Sequence, residues 1–201
     1  MSNSATSANY EVIIDTNVIG DDTRKLLEVH NYFDRLIDDI KARIDSGSRS
    51  VFDFVDMAVV IGALSNMTND KKGGETKRYI QFVREEFLPT TEREKKMIAT
   101  AFYCLMRCGL VHELSLGGHG ILPTRKTALK GFSVAVTHDA SPIGGWYSID
   151  QTSKEVVFYA HELLVEMKGV VAKCFVPNSS FEAIIKSNLT SGKIGIVKIK
   201  P

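Results

Sequence analysis

The clearest helix in the sequence is predicted at residues 22–47, DTRKLLEVHNYFDRLIDDIKARIDSG. Within it, apolar side chains and one histidine recur every three or four positions, the spacing of one face of an α-helix. Asp22 or Thr23 can cap the N-terminus, and Gly47 supplies a C-terminal stop. The stretch therefore predicts a long helix with one buried face. The residues on that face are Leu26, Val29, His30, Phe33, Leu36, Ile37, Ile40 and Ile44.

Three further helices are predicted downstream of the first. Ser50 and Asp53 have the spacing of a capping box, which opens the second helix. The third helix spans about residues 75–87 and is stopped by the proline that follows shortly after it. A capping box at Thr91 opens the fourth helix, and the glycine-rich segment 115–120 (SLGGHG) ends it. The first half of the chain therefore predicts a set of four helices.

The pattern changes after Gly118, where short apolar runs replace the helical period. GFSVAVTH (131–138) and WYSID (146–150) have the composition of strands, and the turn-rich segment that joins them predicts a hairpin. The run EVVFYA (155–160) is either a third strand or the beginning of the helix that continues to residue 175. The second half therefore predicts a small mixed α/β portion.

Both ends of the chain carry β-type patterns. YEVIIDTNVIGDD (10–22) predicts a short strand or an extended arm, and KIGIVKIKP (193–201) alternates like an edge strand. We therefore predict an α+β fold that is mainly a four-helix-type core with a C-terminal β-hairpin and helix extension. The predicted division is an N-terminal arm at 1–22, a helical core at 23–118, and an extension at 119–201 packed on that core as a single domain.

Composition limits the classes of partner. The chain has 201 residues, of which 44% are hydrophobic and 24% charged, as in ordinary globular proteins. Its formal net charge is +1, whereas non-specific nucleic-acid binders usually carry a basic excess. Any nucleic-acid site must therefore be local, or be assembled from more than one subunit.

The three cysteines cannot all pair within one chain. Cys104, Cys108 and His112 share one helical face, and sulfur with imidazole suits zinc. The other cysteine, Cys174, has no close partner in sequence, which favours a packed stripe over a zinc site. The N-terminus lacks the pattern of a secretory signal, and no apolar run reaches the ~18 residues of a membrane span. We therefore predict a cytoplasmic protein with reduced thiols, no metal and no membrane association.

One arginine and one histidine stand out in FYCLMRCGLVHEL (102–114). Arg107 and His112 are five positions apart, which on a regular helix separates their directions by ~140°. Gly109 lies between them and readily permits a departure from helical geometry. The two side chains can therefore converge, and a facing copy from a second subunit would ease that convergence.

Together these two groups suit RNA cleavage without a metal ion. A guanidinium offers a fixed fork of donors matched to phosphate oxygens, and it stays charged. An imidazole can take a proton from a ribose 2′-hydroxyl or return one to a leaving 5′-oxygen. The sequence therefore predicts Arg107 and His112 as the catalytic pair of a nuclease.

The arginine, four residues, then histidine of RCGLVH, late in a four-helix set, resembles the motif of HEPN domains. These α-helical domains include many metal-independent ribonucleases of toxin–antitoxin, CRISPR and anti-phage systems. The resemblance spans roughly residues 23–118 and implies a helical bundle that dimerises so that two motif copies line one cleft. On it, Arg107 would hold and polarise the scissile phosphate, and His112 would be the acid–base group.

The resemblance also implies partners. It implies a homodimer acting on RNA without a cofactor, with an antitoxin or regulatory protein as a further partner. A basic run near the start of the third helix would steer the RNA backbone, although a solvated surface explains it equally well. The chain departs from the pattern at Cys108, where active members often carry a polar residue, and in its long C-terminal extension. The predicted substrate-binding residues are Lys71, Lys72, Lys77 and Arg78.

Two alternatives from other classes stay open. The chain could be a catalytically inactive HEPN-like interaction or dimerisation module, with Arg107 facing outward and His112 at a frayed helix end. VIIDTNVIG (12–20) also resembles the opening strand of PIN-domain nucleases, which would make Asp15 a ligand in a metal-dependent nuclease. The absence of a second strand that ends in Asp close to it in sequence favours packing of this segment instead.

Overall fold

The computed structural model describes residues 11–14, 22–69, 74–88, 92–104, 132–191 and 197–200. The helices are α1 (Asp22–Asp45), α2 (Val51–Met67), α3 (Glu75–Glu86), α4 (Glu92–Phe102), α5 (Ala160–Phe175) and α6 (Glu182–Thr190). The strands are β1 (Glu11–Ile14), β2 (Ser133–Thr137), β3 (Tyr147–Asp150), β4 (Glu155–Tyr159) and β5 (Val197–Lys200). This mostly helical architecture with small sheets confirms the α+β class. No helix in the described ranges is both long enough and apolar enough to cross a membrane.

Helix α1 is the long helix that its apolar period predicts. Most of the predicted face is buried, and Ile37 at its centre is completely shielded from solvent. That face packs against α5 and α2, and the His30 ring stacks on Phe175 of α5 at a centroid distance of 5.1 Å. Gly47 follows the helix with a φ of +90°, a conformation that glycine adopts without strain. The C-terminal extension therefore packs on the helical half through α5.

Helix α2 contacts α1, α3, α5 and α6 and is the most extensively buried helix of the helical half. Ser50 caps it as predicted, because its Oγ accepts a hydrogen bond from the Phe52 amide at 3.2 Å. The second half of the predicted capping box is wrong. The Asp53 carboxylate does not return to the Ser50 amide, which instead donates to Ser48 Oγ at 3.3 Å. Asp53 is thereby available for contacts outside the helix.

The three-stranded sheet has the order β2-β4-β3. β2 and β4 are parallel, with Val134 opposite Val156, and β3 and β4 are antiparallel. The predicted hairpin between 131–138 and 146–150 is therefore wrong, because β4 separates these two segments and forms the hairpin with β3 instead. β4 carries the fully buried Val156 and Phe158, and a central position satisfies its backbone on both sides.

Two open alternatives are settled by the sheets. The run EVVFYA is a strand that ends at Tyr159, and α5 begins at the next residue. The β-type patterns at the two ends of the chain pair with each other, since β1 and β5 form an antiparallel ribbon in which Val12 lies opposite Ile199.

An aromatic cluster joins the helices to the sheet. Trp146, just before β3, packs edge-to-face on Phe87 and Phe102 and stacks on Phe158 at 5.6 Å. Its indole N–H donates to the Phe87 carbonyl at 3.0 Å, so the buried donor is satisfied. The end of α3, the end of α4 and the sheet therefore share one core.

Cys174 of α5 is completely buried in the core. Its burial predicts a low reactivity of the thiol. Burial raises the pKa of the Cys174 thiol to about 12, and the nearby Glu86 carboxylate adds to the effect. At pH 8 the thiolate fraction is then about a thousandfold below that of an ordinary thiol, and only the thiolate is alkylated. We expect Cys174 to stay unmodified by iodoacetamide in the folded protein and to react after unfolding in urea.

Peptide mapping by mass spectrometry separates Cys174 from Cys104 and Cys108, which lie on other peptides of the chain. Rapid modification of Cys174 in the folded protein would contradict its placement in the core.

Candidate functional site

The predicted catalytic pair, Arg107 and His112, lies outside the described residues, so its geometry stays a prediction. The same holds for Lys71, Lys72 and Asp15. The structure does describe the approach to the motif. α4 ends at Phe102, and residues 103–104 form a wider, π-type turn in place of the regular α-helix. Such turns are frequent at functional sites, and this one directly precedes the motif.

The end of α4 is held at the beginning of α3. The Tyr103 hydroxyl lies 2.8 Å from Thr76 Oγ1, and the Tyr103 ring packs edge-to-face on Tyr79 at 5.3 Å. Tyr79 is itself fully buried between the helices. The chain therefore leaves the described part of α4 beside the first turn of α3, where two of the predicted substrate-binding residues lie.

Those two residues have different environments. Lys77 is exposed on the first turns of α3. Arg78 is partly buried, and its Nε and Nη2 donate to Asn66 Oδ1 of α2 at 3.2 and 3.1 Å. Arg78 therefore contributes to packing α3 against α2, while the Lys77 ammonium faces solvent.

A buried polar cluster that the sequence patterns do not reveal centres on Asp53. Its carboxylate accepts from Arg43 Nε at 3.0 Å and from Ser48 Oγ at 3.0 Å, and it lies 3.1 Å from His138 Nε2. The Asp53 side chain is 1% exposed and that of His138 is 8% exposed. Arg43 also pairs with Asp56 on the surface of α2. The cluster thereby ties α1 and α2 to the end of β2.

Contacts within the cluster stabilise the charged form of the Arg43 guanidinium. Partial burial of the Arg43 guanidinium opposes its charge, but hydrogen bonds to Asp53 and Asp56 outweigh that penalty and raise its pKa. The His138 ring packs edge-to-face on Phe54 at 5.2 Å, which holds the imidazole over α2. Asp53 is therefore a charge compensated from several directions, as a buried carboxylate requires.

A serine, a histidine and an aspartate meet here, but not in the order that nucleophilic catalysis needs. In a catalytic triad the histidine lies between the serine and the aspartate. Here Ser48 Oγ and His138 Nε2 both contact the same oxygen, Asp53 Oδ2. His138 therefore has no contact through which it would activate Ser48, and the arrangement is suited to holding elements together.

A large cavity lies between α1, α5, the end of α3 and β3. Its volume is about 990 Å³, and it is lined mainly by apolar side chains with several glutamates at the walls. His161 and Glu162, at the start of α5, both line it. Within the described residues no group of three or more histidine, cysteine, aspartate or glutamate side chains is arranged to hold a metal ion.

Comparison with known proteins gives no assignment: no family model, no curated protein and no solved structure matches the chain.

Proposed function

We propose that this protein is a metal-independent endoribonuclease with a HEPN-like helical core. Arg107 and His112 act on one phosphodiester of RNA in a cleft shared by two subunits. The ribose 2′-oxygen attacks the adjacent phosphorus, a 2′-O–P bond forms, and the P–O5′ bond breaks. The products are a 2′,3′-cyclic phosphate and a 5′-hydroxyl, so no water is consumed in this step.

The observation that carries the proposal is the way α4 ends. Its π-type turn at residues 103–104 is anchored to Thr76 and leads within three residues to Arg107. Since consecutive Cα atoms are 3.8 Å apart, the Arg107 Cα lies within about 11 Å of the Cys104 Cα. This proximity in the chain supports a shared role for Arg107 and the exposed Lys77 of α3, which supplies a second positive charge.

The two motif side chains have distinct roles in the proposed reaction. The His112 imidazole accepts the proton of the 2′-hydroxyl or donates one to the departing 5′-oxygen, and a second copy of the motif in the dimer supplies the complementary group. The Arg107 guanidinium binds the nonbridging phosphate oxygens and stabilises the charge that develops on them. The biological setting we propose is a cytoplasmic toxin or defence system, in which an antitoxin or regulator restrains the nuclease.

The experiment that tests this function is cleavage of a fluorescently labelled RNA by the purified 201-residue protein in excess EDTA. We expect cleavage at the same rate with and without the chelator. Cleavage that requires added Mg²⁺ would contradict the mechanism and favour the metal-dependent alternative at Asp15. A protein inert toward RNA would favour the interaction module.

Lys77→Ala is expected to weaken RNA binding without changing the chemical step. Removing one phosphate contact to single-stranded RNA should lower the slope of log Kd against log salt by about 0.7. The measurement is fluorescence anisotropy of labelled RNA at several salt concentrations, together with kcat. Because a positioning charge acts through binding, kcat should be unchanged while KM rises severalfold.

The matched control is Lys173→Ala. Lys173 Nζ pairs with Glu86 Oε2 at 2.6 Å, at the other end of α3, so this change removes an equal charge about 14 Å further along the helix. An equal loss of RNA affinity in both variants would show that net charge alone is responsible and would contradict a local role for Lys77.

A second candidate function is the inactive interaction or dimerisation module, and one observation favours it. Phe52 and Val59 of α2 are 56% and 47% exposed and lie seven residues apart, which places them on one helix face. Exposed apolar side chains on one face are typical of protein–protein contacts. The RNA cleavage experiment separates the two functions.

A further inference from the structure

The cavity between α1, α5 and β3 is built from two kinds of surface. Its floor is apolar and includes Ile37 of α1, Phe87 after α3, and Leu164 of α5. The carboxylates at its walls are Glu85 and Glu86 of α3, Glu94 of α4, and Glu162 and Glu166 of α5. A volume of about 990 Å³ lies at the upper end of the range of small-molecule sites.

Apart from Glu86, which pairs with Lys173 at 2.6 Å, these carboxylates have no lysine or arginine partner among the described residues. Glu94 accepts a hydrogen bond from the Tyr147 hydroxyl at 3.1 Å, and Glu162 Oε1 accepts one from the Ser141 amide at 2.8 Å. In the described part of the chain, neither of them nor Glu166 forms an ion pair with a lysine or an arginine. Within the described ranges, no lysine or arginine therefore neutralises these three carboxylates.

The lysines that line the same cavity are already neutralised. Lys168 Nζ pairs with Asp38 Oδ1 at 2.8 Å, and Lys41 pairs with Asp45 one turn along α1. Among the described residues, the balance of unpaired charge at the cavity is therefore negative, and two of the carboxylates that contribute to it lie on α5.

One carboxylate oxygen of Glu162 lacks a hydrogen-bond donor, which is a separate observation from the charge balance. Its Oε2 is shielded from water and has no hydrogen-bond partner among the described residues. An unsatisfied buried acceptor costs stability, and a charged one costs more. The terminal torsion of a glutamate is soft, so this oxygen can adjust its direction when a donor binds nearby.

Glu166 completes the pair on the same wall. It lies one helical turn after Glu162, so both side chains project from the same face of α5 with Cβ atoms about 5–6 Å apart. Burial raises the pKa of the Glu166 carboxyl, because its charged form is poorly solvated there. A bound cation would relieve that penalty.

We propose that this cavity binds a small organic cation whose ammonium or guanidinium group lies between Glu162 and Glu166 and whose apolar body covers Ile37, Phe87 and Leu164. The charge specifies a cation, since a neutral or anionic molecule of the same shape would leave the carboxylates uncompensated. The apolar floor specifies an organic cation, since a bare metal ion or a fully hydrated amine would gain nothing from it. This site is independent of the proposed nuclease motif.

The test uses two probes of matched shape, 4-phenylbutylamine and 4-phenyl-1-butanol, titrated into the 201-residue protein by calorimetry. We expect the amine to bind about tenfold more tightly than the alcohol, equivalent to about 1.4 kcal/mol. Trp146 is the single tryptophan and lines the cavity, so a change in its emission on titration locates the probe there.

The variant Glu162→Gln/Glu166→Gln should abolish the preference for the amine while leaving the weaker binding of the alcohol unchanged. Glu28→Gln makes the same chemical change at an exposed position of α1 and should keep the tenfold preference. Equal binding of amine and alcohol to the unaltered protein, or a preference that survives the double substitution, would overturn the proposal. RNA cleavage has no bearing on either outcome.

Discussion

Replacing Asp53 with alanine is expected to lower the free energy of unfolding by about 3–5 kcal/mol, the usual cost of breaking a buried charged cluster by removing one partner. The carboxylate is almost completely buried and contacts Arg43, Ser48 and His138. Without it, a buried hydroxyl and imidazole lose their shared partner, and α2 loses its polar link to the end of β2. Urea denaturation followed by circular dichroism measures the change.

The matched control for this prediction is Asp56→Ala on the same helix. Asp56 pairs with the same arginine but is 47% exposed, so its removal should cost about 0–1 kcal/mol. If the two variants were equally stable, burial would not be the source of the stabilisation, and the cluster would have no special role in joining the helices to the sheet.

Replacing His112 with alanine is expected to lower the rate of RNA cleavage by about 10²–10⁴-fold, because it removes the proposed acid–base group. Replacing Arg107 with alanine is expected to lower kcat by about 10²–10³-fold, through loss of charge stabilisation at the phosphate. Single-turnover cleavage of a labelled RNA measures both losses.

Conservative variants separate a chemical role from a structural one. Arg107→Lys keeps the charge but loses the planar fork, so it should recover only part of the activity. Arg49→Ala removes an exposed guanidinium that pairs with Asp139 at 2.6 Å and should leave cleavage unchanged. Full activity in either motif variant, with the fold intact by circular dichroism, would remove that residue from the proposed mechanism.

Local patterns in the sequence predict much of the fold. The apolar period of α1 identifies its buried face, because residues three or four positions apart lie on the same side of a helix. Ser50 and Gly47 mark helix ends for equally local reasons. Strand order is different. The sequence indicates β2 and β3 as strands but not that β4 lies between them, since pairing depends on which strand can be covered on both sides.

The candidate sites also differ in whether local sequence patterns reveal them. The Arg107 and His112 motif is a sequence pattern and needs no structure to be noticed. The Asp53 cluster is invisible to such patterns, because Asp53 and His138 are 85 positions apart and each looks like an ordinary capping residue. The cation site is equally hidden. Its carboxylates come from α4 and α5, and only the fold shows that they line the same cavity as the apolar floor.

If the arginine and the histidine cleave RNA through the ribose 2′-hydroxyl, the ends of the fragments reveal it. Mass spectrometry identifies the ends of the fragments that the 201-residue protein produces in EDTA. We expect fragments that end in a 2′,3′-cyclic phosphate and begin with a 5′-hydroxyl, and no cleavage at a site whose ribose is replaced by 2′-deoxyribose. Fragments with a 3′-hydroxyl and a 5′-phosphate, or cleavage of the 2′-deoxy site, would contradict this mechanism.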